Sequence, residues 1–143
     1  MFVAQILADK GHEVVTADPG ESVGHIALVL FERRIGAMPV SSPGGALVGI
    51  VSERDVVAAL AEHGRDVLDR PVEEIMTRRV ITCARSDHID DLMARMTEGR
   101  MRHLPVLEGE ELVGIVSIGD VVKARMSEIE AEAQALKDYI ATG

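Results

Sequence analysis

The hexapeptide Leu47-Val48-Gly49-Ile50-Val51-Ser52 occurs twice in this chain, the second time as Leu112-Val113-Gly114-Ile115-Val116-Ser117. Three residues after each serine comes an aspartate, Asp55 or Asp120, which is followed in both copies by Val-Val. The matching residues are 65 positions apart here and 66 positions apart upstream. The extra residue lies in a Pro/Gly-containing loop of the first copy, where an insertion costs little. Self-similarity of this length predicts two copies of one structural unit.

Both copies predict the same order of elements. A short β-branched run, residues 14–16 or 80–82, is followed by turn residues and then by apolar residues spaced as on one face of a helix. Two strands joined by a glycine-containing loop come next, and a last helix begins after the repeated serine. The predicted strands are 37–41 and 46–51 in the first copy and 103–107 and 111–116 in the second. The helical stripes are Val23, Ile26, Ala27 and Leu30, and then Ile89, Leu92, Met93 and Met96.

The predicted fold class is therefore α/β (α+β), a tandem pair of β-α-β-β-α units followed by an extended C-terminal helix. A unit of about 55 residues buries too little surface to be stable alone, so we expect the two units to pack with pseudo-two-fold symmetry. Two similar clefts are then expected at their boundary. The predicted organisation is a first repeat with an N-terminal helix (1–64), a linker (65–71), a second repeat (72–126) and a helical extension (127–143).

Composition and charge exclude several classes of protein. Aromatic residues make up 2 % of the chain and the formal net charge is −9, so neither base stacking nor attraction to a phosphate backbone is expected. The sequence has no apolar run long enough to span a membrane, no signal segment and a single cysteine. We therefore expect a cytoplasmic protein that binds neither nucleic acid nor membrane.

The paired Gly-x-x-Ser-x-x-Asp segments, Gly49 to Asp55 and Gly114 to Asp120, resemble those of the cystathionine-β-synthase (CBS) domains, which occur as tandem pairs. The resemblance covers residues 3–126 and includes a Leu-Val before each segment and a Pro-Val further upstream. It implies a module that binds AMP, ADP, ATP, NADH or S-adenosylmethionine. On this resemblance the two aspartates hold the ribose, and Ser52 and Ser117 assist.

The residue chemistry agrees with that implication but allows an alternative. A serine and an aspartate three residues apart at a helix N-terminus present a hydroxyl and a carboxylate on one face, beside unpaired backbone amides. Such a carboxylate suits the paired hydroxyls of a ribose. The same spacing is also a helix capping box, and capping alone would account for both pairs. Gly49 and Gly114 favour ligand contact, because glycine permits close backbone approach and capping does not require it.

The resemblance implies two unequal sites. In the family, residues just before the Leu-Pro-Val of one repeat reach the phosphate of the nucleotide whose ribose the other repeat holds. These residues are Arg102 and His103 in the second copy and Gly36 and Ala37 in the first. The first predicted site comprises Ser52, Asp55, Val80, Thr82, Met101, Arg102 and His103, with Arg54 as an additional cation. The second predicted site comprises Ser117, Asp120, Val14, Thr16, Ile35 and Ala37, without a cation pair. The alternative is that Arg102 and His103 belong to a solvated surface run.

The last helix continues to about residue 140 with an apolar heptad seam. The seam consists of Val122, Met126, Ile129, Ala133, Leu136 and Ile140. Either it packs on its own chain or two chains meet along it, and we expect a homodimer.

The predicted function is a non-enzymatic regulatory sensor. Its expected ligand is AMP or another adenine nucleotide, and its expected partners are a second copy of the chain and a regulated protein. No pairing of residues typical of a catalytic centre is present, so neither a catalytic residue nor a catalytic cofactor is expected. Cys83 and His88 are five residues apart on a predicted turn, but the other histidines show no metal-ligand spacing, so no metal is expected. Cys83 is expected to be a small core residue. The alternative is a protein-interaction module in which nucleotide is absent or incidental.

Overall fold

A computed structural model describes residues 1–142 and contains five α-helices and four strands. In chain order the elements are α1 (Val3–Lys10), α2 (Val23–Arg33), β1 (Ala37–Ser41), β2 (Leu47–Ser52), α3 (Glu53–His63), 3₁₀ turns at Arg65–Asp69 and Val72–Glu74, α4 (Ile89–Gly99), β3 (His103–Glu108), β4 (Glu111–Ser117) and α5 (Ile118–Thr142). Strand β1 pairs with β2 and β3 pairs with β4, in two separate two-stranded sheets. The mixed α/β class and the repeated helix-hairpin-helix order are confirmed.

The first predicted strand of each copy is wrong in extent. Residues 14–16 and 80–82 are irregular, and a single residue after each run forms a parallel bridge, Ala17 with Val40 and Cys83 with Val106. The Ala17 amide donates to the Pro39 carbonyl at 3.0 Å, and the Ala17 carbonyl accepts from Ser41 at 2.9 Å. A turn follows directly in both copies, so the chain leaves the hairpin before a second pair can form.

One compact unit is formed by Glu13–Ile81 together with Gly109–Val113. The apolar stripe of α2 is confirmed, because Val23, Ile26 and Leu30 are buried and Ala27 is half-buried. Helix α2 begins after Ser22, whose hydroxyl accepts from the His25 amide at 3.1 Å. The stripe packs on the hairpin and on the segment that follows α3. The other core residues of this unit include Met38, Val40, Val51, Val56, Val72 and Met76.

The other unit comprises Met1–His12, Thr82–Glu108 and the chain from Gly114 onward. Helix α1 therefore belongs with the second copy, whereas the sequence analysis grouped it with the first. Its buried residues are Val3, Ile6 and Leu7, as the apolar spacing predicts. The buried residues of the second copy include Ile89, Leu92 and Met96 of α4, Leu104 and Val106 of β3, and Val116 and Val121.

Helix α5 is 25 residues long, and its residues from Ile129 to Thr142 are exposed. The predicted seam is solvent-exposed as well, with Met126 57 % and Leu136 60 % accessible. Of the two predicted arrangements, packing of the seam on the described part of its own chain is therefore not observed. No helix within residues 1–142 combines the length and the apolar character needed to cross a lipid bilayer.

Candidate functional site

The first Ser-x-x-Asp turn lies where β2 ends and α3 begins. The Ser52 hydroxyl accepts a hydrogen bond from the Asp55 amide at 3.3 Å, and the Ser52 amide donates to Asp55 Oδ2 at 2.9 Å. The Ser52 hydroxyl also donates to Asp55 Oδ2, at 3.1 Å. These bonds form a capping box, so the capping role that the spacing allows is present in the structure.

The second turn, between β4 and α5, has the same two backbone bonds. The Ser117 amide donates to Asp120 Oδ2 at 2.9 Å, and the Asp120 amide donates to the Ser117 hydroxyl at 3.1 Å. Here a cation joins the turn, because Lys10 Nζ lies 2.7 Å from Asp120 Oδ2. The same ammonium donates to the Ile115 carbonyl at 2.9 Å. The two aspartates therefore have different surroundings, although their local sequences match.

The Asp120 carboxyl shows the effect of this cation on its ionisation. Burial raises its pKa, while hydrogen bonds from Lys10 and Ser117 and the positive charge of Lys10 lower it. The lowering contributions prevail, so the pKa of Asp120 lies below its usual value. This carboxylate is ionised at neutral pH.

Capping uses only one oxygen of each carboxylate. In both turns the bonded atom is Oδ2, and Oδ1 receives no hydrogen bond from residues 1–142. Both aspartates are half-buried at the surface of their units. Capping therefore fixes the orientation of each carboxylate and leaves one of its oxygens without a hydrogen bond from residues 1–142.

The two repeated glycines have a structural explanation that the sequence analysis missed. A Cβ on Gly49 would lie 2.4 Å from Met76 Sδ, and a Cβ on Gly114 would lie 2.6 Å from Leu7 Cδ2. In each unit a side chain of the same chain already occupies the space that the missing Cβ leaves. Packing against Met76 and Leu7 therefore accounts for both glycines without a ligand, and close approach of a ligand stays a prediction.

Besides Ser52, the unit containing Asp55 holds six other predicted site residues. Val14, Ile35 and Val80 are half-buried, Ala37 is buried, and Thr16 and Arg54 are exposed. The Glu53 amide donates to the Gly36 carbonyl at 3.0 Å, which brings the residue preceding β1 to the start of α3. This unit therefore places Gly36 beside the turn that carries Asp55.

The unit containing Asp120 holds the remaining predicted residues. Thr82, Met101 and His103 are half-buried and Arg102 is exposed. The Ile118 amide donates to the Arg102 carbonyl at 2.8 Å, the equivalent of the bond between Glu53 and Gly36. The backbone of Arg102 is thus at the start of α5, in the unit of Asp120. The grouping of Arg102 and His103 with Asp55 stays a prediction.

Lys10 is the residue at this site that sequence reasoning missed. A signal for it was present, because Ile6 and Leu7 form the apolar face of α1 and Lys10 follows them at helical spacing on that face. Cys83, in contrast, is buried as predicted, and burial raises the pKa of its thiol to about 12. Within residues 1–142 no three His, Cys, Asp or Glu side chains are grouped so as to hold a metal ion.

Comparison with known proteins identifies the repeats. The family model described as "CBS domain" matches residues 3–62 and 72–127. The crystal structure of the CBS-domain-containing protein ATU1752 from Agrobacterium tumefaciens is 46 % identical, with a TM-score of 0.85, over 87 % of this chain and 92 % of that one.

Two further solved structures contain ligands. The CBS domain pair of protein MJ0100, in complex with 5′-methylthioadenosine and S-adenosyl-L-methionine, is 29 % identical with a TM-score of 0.80, over 90 % of this chain and 98 % of that one. The CBS domain protein PAE2072 from Pyrobaculum aerophilum, complexed with AMP, is 26 % identical with a TM-score of 0.75, over 84 % and 89 %.

Among curated proteins, the mitochondrial CBS domain-containing protein CBSX3 of Arabidopsis thaliana is 38 % identical over 118 residues. The match covers 80 % of this chain and 57 % of the plant protein. The chain therefore spans little more than half the length of this relative.

Proposed function

The chain belongs to the CBS-domain family, and from that premise we propose that it is a non-enzymatic regulatory module that binds an adenine nucleoside or nucleotide. AMP is the ligand we favour, and ADP, ATP and NADH share the adenosine group. The observation that carries the proposal is that Ser52 holds the Asp55 carboxylate through Oδ2, while Oδ1 has no hydrogen-bond partner within residues 1–142. The complexes of PAE2072 with AMP and of MJ0100 with two adenosine derivatives support it.

A ribose has two adjacent hydroxyl donors, and an ionised carboxylate is an acceptor with two oxygens. Because the capping box already holds Asp55 in one orientation, binding does not have to order this side chain. Hydrogen bonds to a charged acceptor contribute about 1.5–3 kcal/mol each. Asp55 therefore supplies the main polar contact to the sugar in this proposal.

A nucleotide also requires compensation of its phosphate charge, since the chain itself carries a net charge of −9. The exposed guanidinium groups of Arg54 and Arg102 are the cations we assign to this task. Replacing Arg102 with alanine is expected to weaken AMP binding and to leave adenosine binding unchanged. Equal effects on both ligands would contradict this assignment.

Isothermal calorimetry with AMP and adenosine, together with a thermal-shift panel of ADP, ATP, NADH and S-adenosylmethionine, tests the proposal. Binding to the folded state alone stabilises it, by about 2.7 kcal/mol at a hundredfold excess of ligand over Kd. Asp55→Asn is expected to weaken adenosine binding at least tenfold. The matched control is Glu53→Gln, which removes one negative charge from the same helical turn and leaves the capping box intact.

Two results would refute the proposal. One is the absence of binding and stabilisation with every adenosine compound in the panel. The other is an Asp55→Asn variant that binds adenosine as tightly as the Glu53→Gln control.

The exposed seam of α5 favours a second role, assembly. Ile129 and Leu136 are 56 % and 60 % exposed, and glutamates at 128, 130 and 132 flank them. An exposed apolar stripe at heptad spacing is typical of a helix that pairs with another helix. A homodimer in which two chains meet along α5 therefore accompanies the ligand-binding role in this proposal, with a regulated protein as a further partner.

Light scattering on an Ile129→Glu/Leu136→Glu variant tests the assembly. The variant is expected to be monomeric, because two buried carboxylates would face an apolar seam. Ala131→Glu/Ala135→Glu, with the same added charge on other faces of α5, is expected to remain dimeric. A dimeric seam variant, or a monomeric wild-type chain, would exclude this assembly.

A further inference from the structure

The Lys10 ammonium bonds to the aspartate of the second Ser-x-x-Asp turn, and no cation within residues 1–142 forms an ion pair with the aspartate of the first. We infer that Lys10 is a specificity-determining residue that occupies Asp120 as an internal counter-ion, so that each chain binds one adenosine ligand, through Asp55. This inference rests on the proposed function and deepens it. It assigns to Lys10 a difference in ligand binding between two sites that share the Gly-x-x-Ser-x-x-Asp spacing.

Lys10 is held in place at both ends of its side chain. Its backbone is the last residue of α1, and Leu7, one turn earlier, is fully buried against Gly114. Gly11 ends the helix directly after Lys10, with its amide donating to the Leu7 carbonyl at 2.8 Å. At the other end, Nζ donates to Asp120 Oδ2 and to the Ile115 carbonyl. Lys10 lies at the surface, and these two acceptors restrict the rotation of its side chain.

In the first copy a backbone amide, not a cation, donates to the equivalent carbonyl. The carbonyl equivalent to that of Ile115 belongs to Ile50, and it accepts a hydrogen bond from the Thr77 amide at 2.9 Å. Asp55 has no ion pair with any other residue in the range 1–142. The carboxylate of Asp55 therefore has no counter-ion within residues 1–142, whereas Asp120 is paired with Lys10.

This difference decides which carboxylate accepts a sugar hydroxyl. Hydrogen bonds between an ammonium and a carboxylate are roughly twice as strong as those between neutral groups. A ribose hydroxyl is a neutral donor, and at Asp120 it would bond to a carboxylate whose charge Lys10 already compensates. At Asp55 the carboxylate has no such counter-ion within residues 1–142. We expect the counter-ion to weaken the Asp120 site enough that it stays empty at ligand concentrations that saturate the Asp55 site.

Calorimetry with adenosine and AMP as probes tests the inference through stoichiometry. The wild-type chain is expected to bind one ligand, and Lys10→Met and Lys10→Gln are expected to bind two. Lys10→Arg keeps the charge and is expected to bind one. The control is Lys123→Met, because Lys123 lines the same cavity of about 100 Å³ beside α1 as Lys10 and Asp120 but has no ion pair within residues 1–142. Adding Asp120→Asn to Lys10→Met is expected to restore a stoichiometry of one.

The outcomes separate this inference from the proposed function. A wild-type chain that binds two ligands, or a Lys10→Met variant that binds one, overturns the role of Lys10 and leaves the ligand-binding function standing. Weaker binding by Lys10→Met also overturns it, because Lys10 would then contact the ligand. A wild-type chain that binds nothing, with one ligand bound by Lys10→Met, supports the role of Lys10 and refutes the use of Asp55. Binding by neither protein refutes both.

Discussion

Replacing Gly114 with alanine is expected to destabilise the protein by about 1–3 kcal/mol. The new Cβ would lie 2.6 Å from Leu7 Cδ2, 3.1 Å from Cδ1 and 3.4 Å from Cγ. Nonpolar carbons are optimally about 3.5–4.0 Å apart, so the nearest contact is too short by roughly 1 Å. Leu7 is 0 % exposed, so its side chain can shift only within the packed core. Either Leu7 leaves its present rotamer or β4 and α1 move apart, and both changes cost free energy.

Urea and thermal unfolding followed by circular dichroism measure this effect. For a chain of this size each kcal/mol lowers Tm by about 3–4 °C. Gly20→Ala is the control, since a Cβ there meets no atom within 4 Å. Gly49→Ala is expected to cost less than Gly114→Ala, because the atoms it meets belong to Met76, a flexible side chain that is 8 % exposed.

A double variant identifies the cause. Leu7→Ala alone is expected to cost about 2–5 kcal/mol through the cavity it leaves. In Leu7→Ala/Gly114→Ala the new methyl group partly fills that cavity, so the combined loss should be smaller than the sum of the single losses by about 0.5–3 kcal/mol. Strict additivity, or a Gly114→Ala variant as stable as wild type, would refute the packing explanation. If Gly114→Ala loses ligand binding but not stability, close approach of a ligand would instead explain the glycine at this position.

Three further predictions concern other parts of the fold. A hydrogen bond from Arg95 holds the pKa of Asp87 below its usual value of 3.8, so Asp87→Asn should lower stability by up to about 1 kcal/mol at pH 7. The difference should vanish in unfolding experiments as the pH falls through the lowered pKa. Cys83, with a pKa of about 12, should react with a thiol reagent at pH 8 only after unfolding; rapid reaction of the native protein would contradict its burial. Gly64, at φ 76° and ψ −176° after α3, should cost about 1–3 kcal/mol when replaced by alanine, and an unchanged denaturation midpoint would contradict this.

Features that depend on neighbouring residues were predictable from the sequence. The hairpins, the stripe of α2, the stripe of α4 except for Met93, and the end of α3 at Gly64 all follow from spacing and from capping residues within about one helical turn. Met93 was predicted to be part of the α4 stripe, but it is 41 % exposed. The reciprocal bonds of Ser52 with Asp55 belong to the same class, since three residues separate the partners. The extent of the first strands was not predictable from composition, because β-branched residues favour a strand but pairing depends on where the following turn directs the chain.

The sequence by itself determined that the chain is a duplicated unit with a carboxylate at the start of each last helix, because identical residues at identical spacing fold in the same local way. Only the tertiary structure decided that α1 packs in the unit of the second copy, that Leu7 and Met76 cover the two glycines, and that Lys10 reaches Asp120. Lys10 and Asp120 are 110 positions apart in the chain. Contacts over such separations depend on how a whole hydrophobic core is filled, and no local pattern of residues encodes that arrangement.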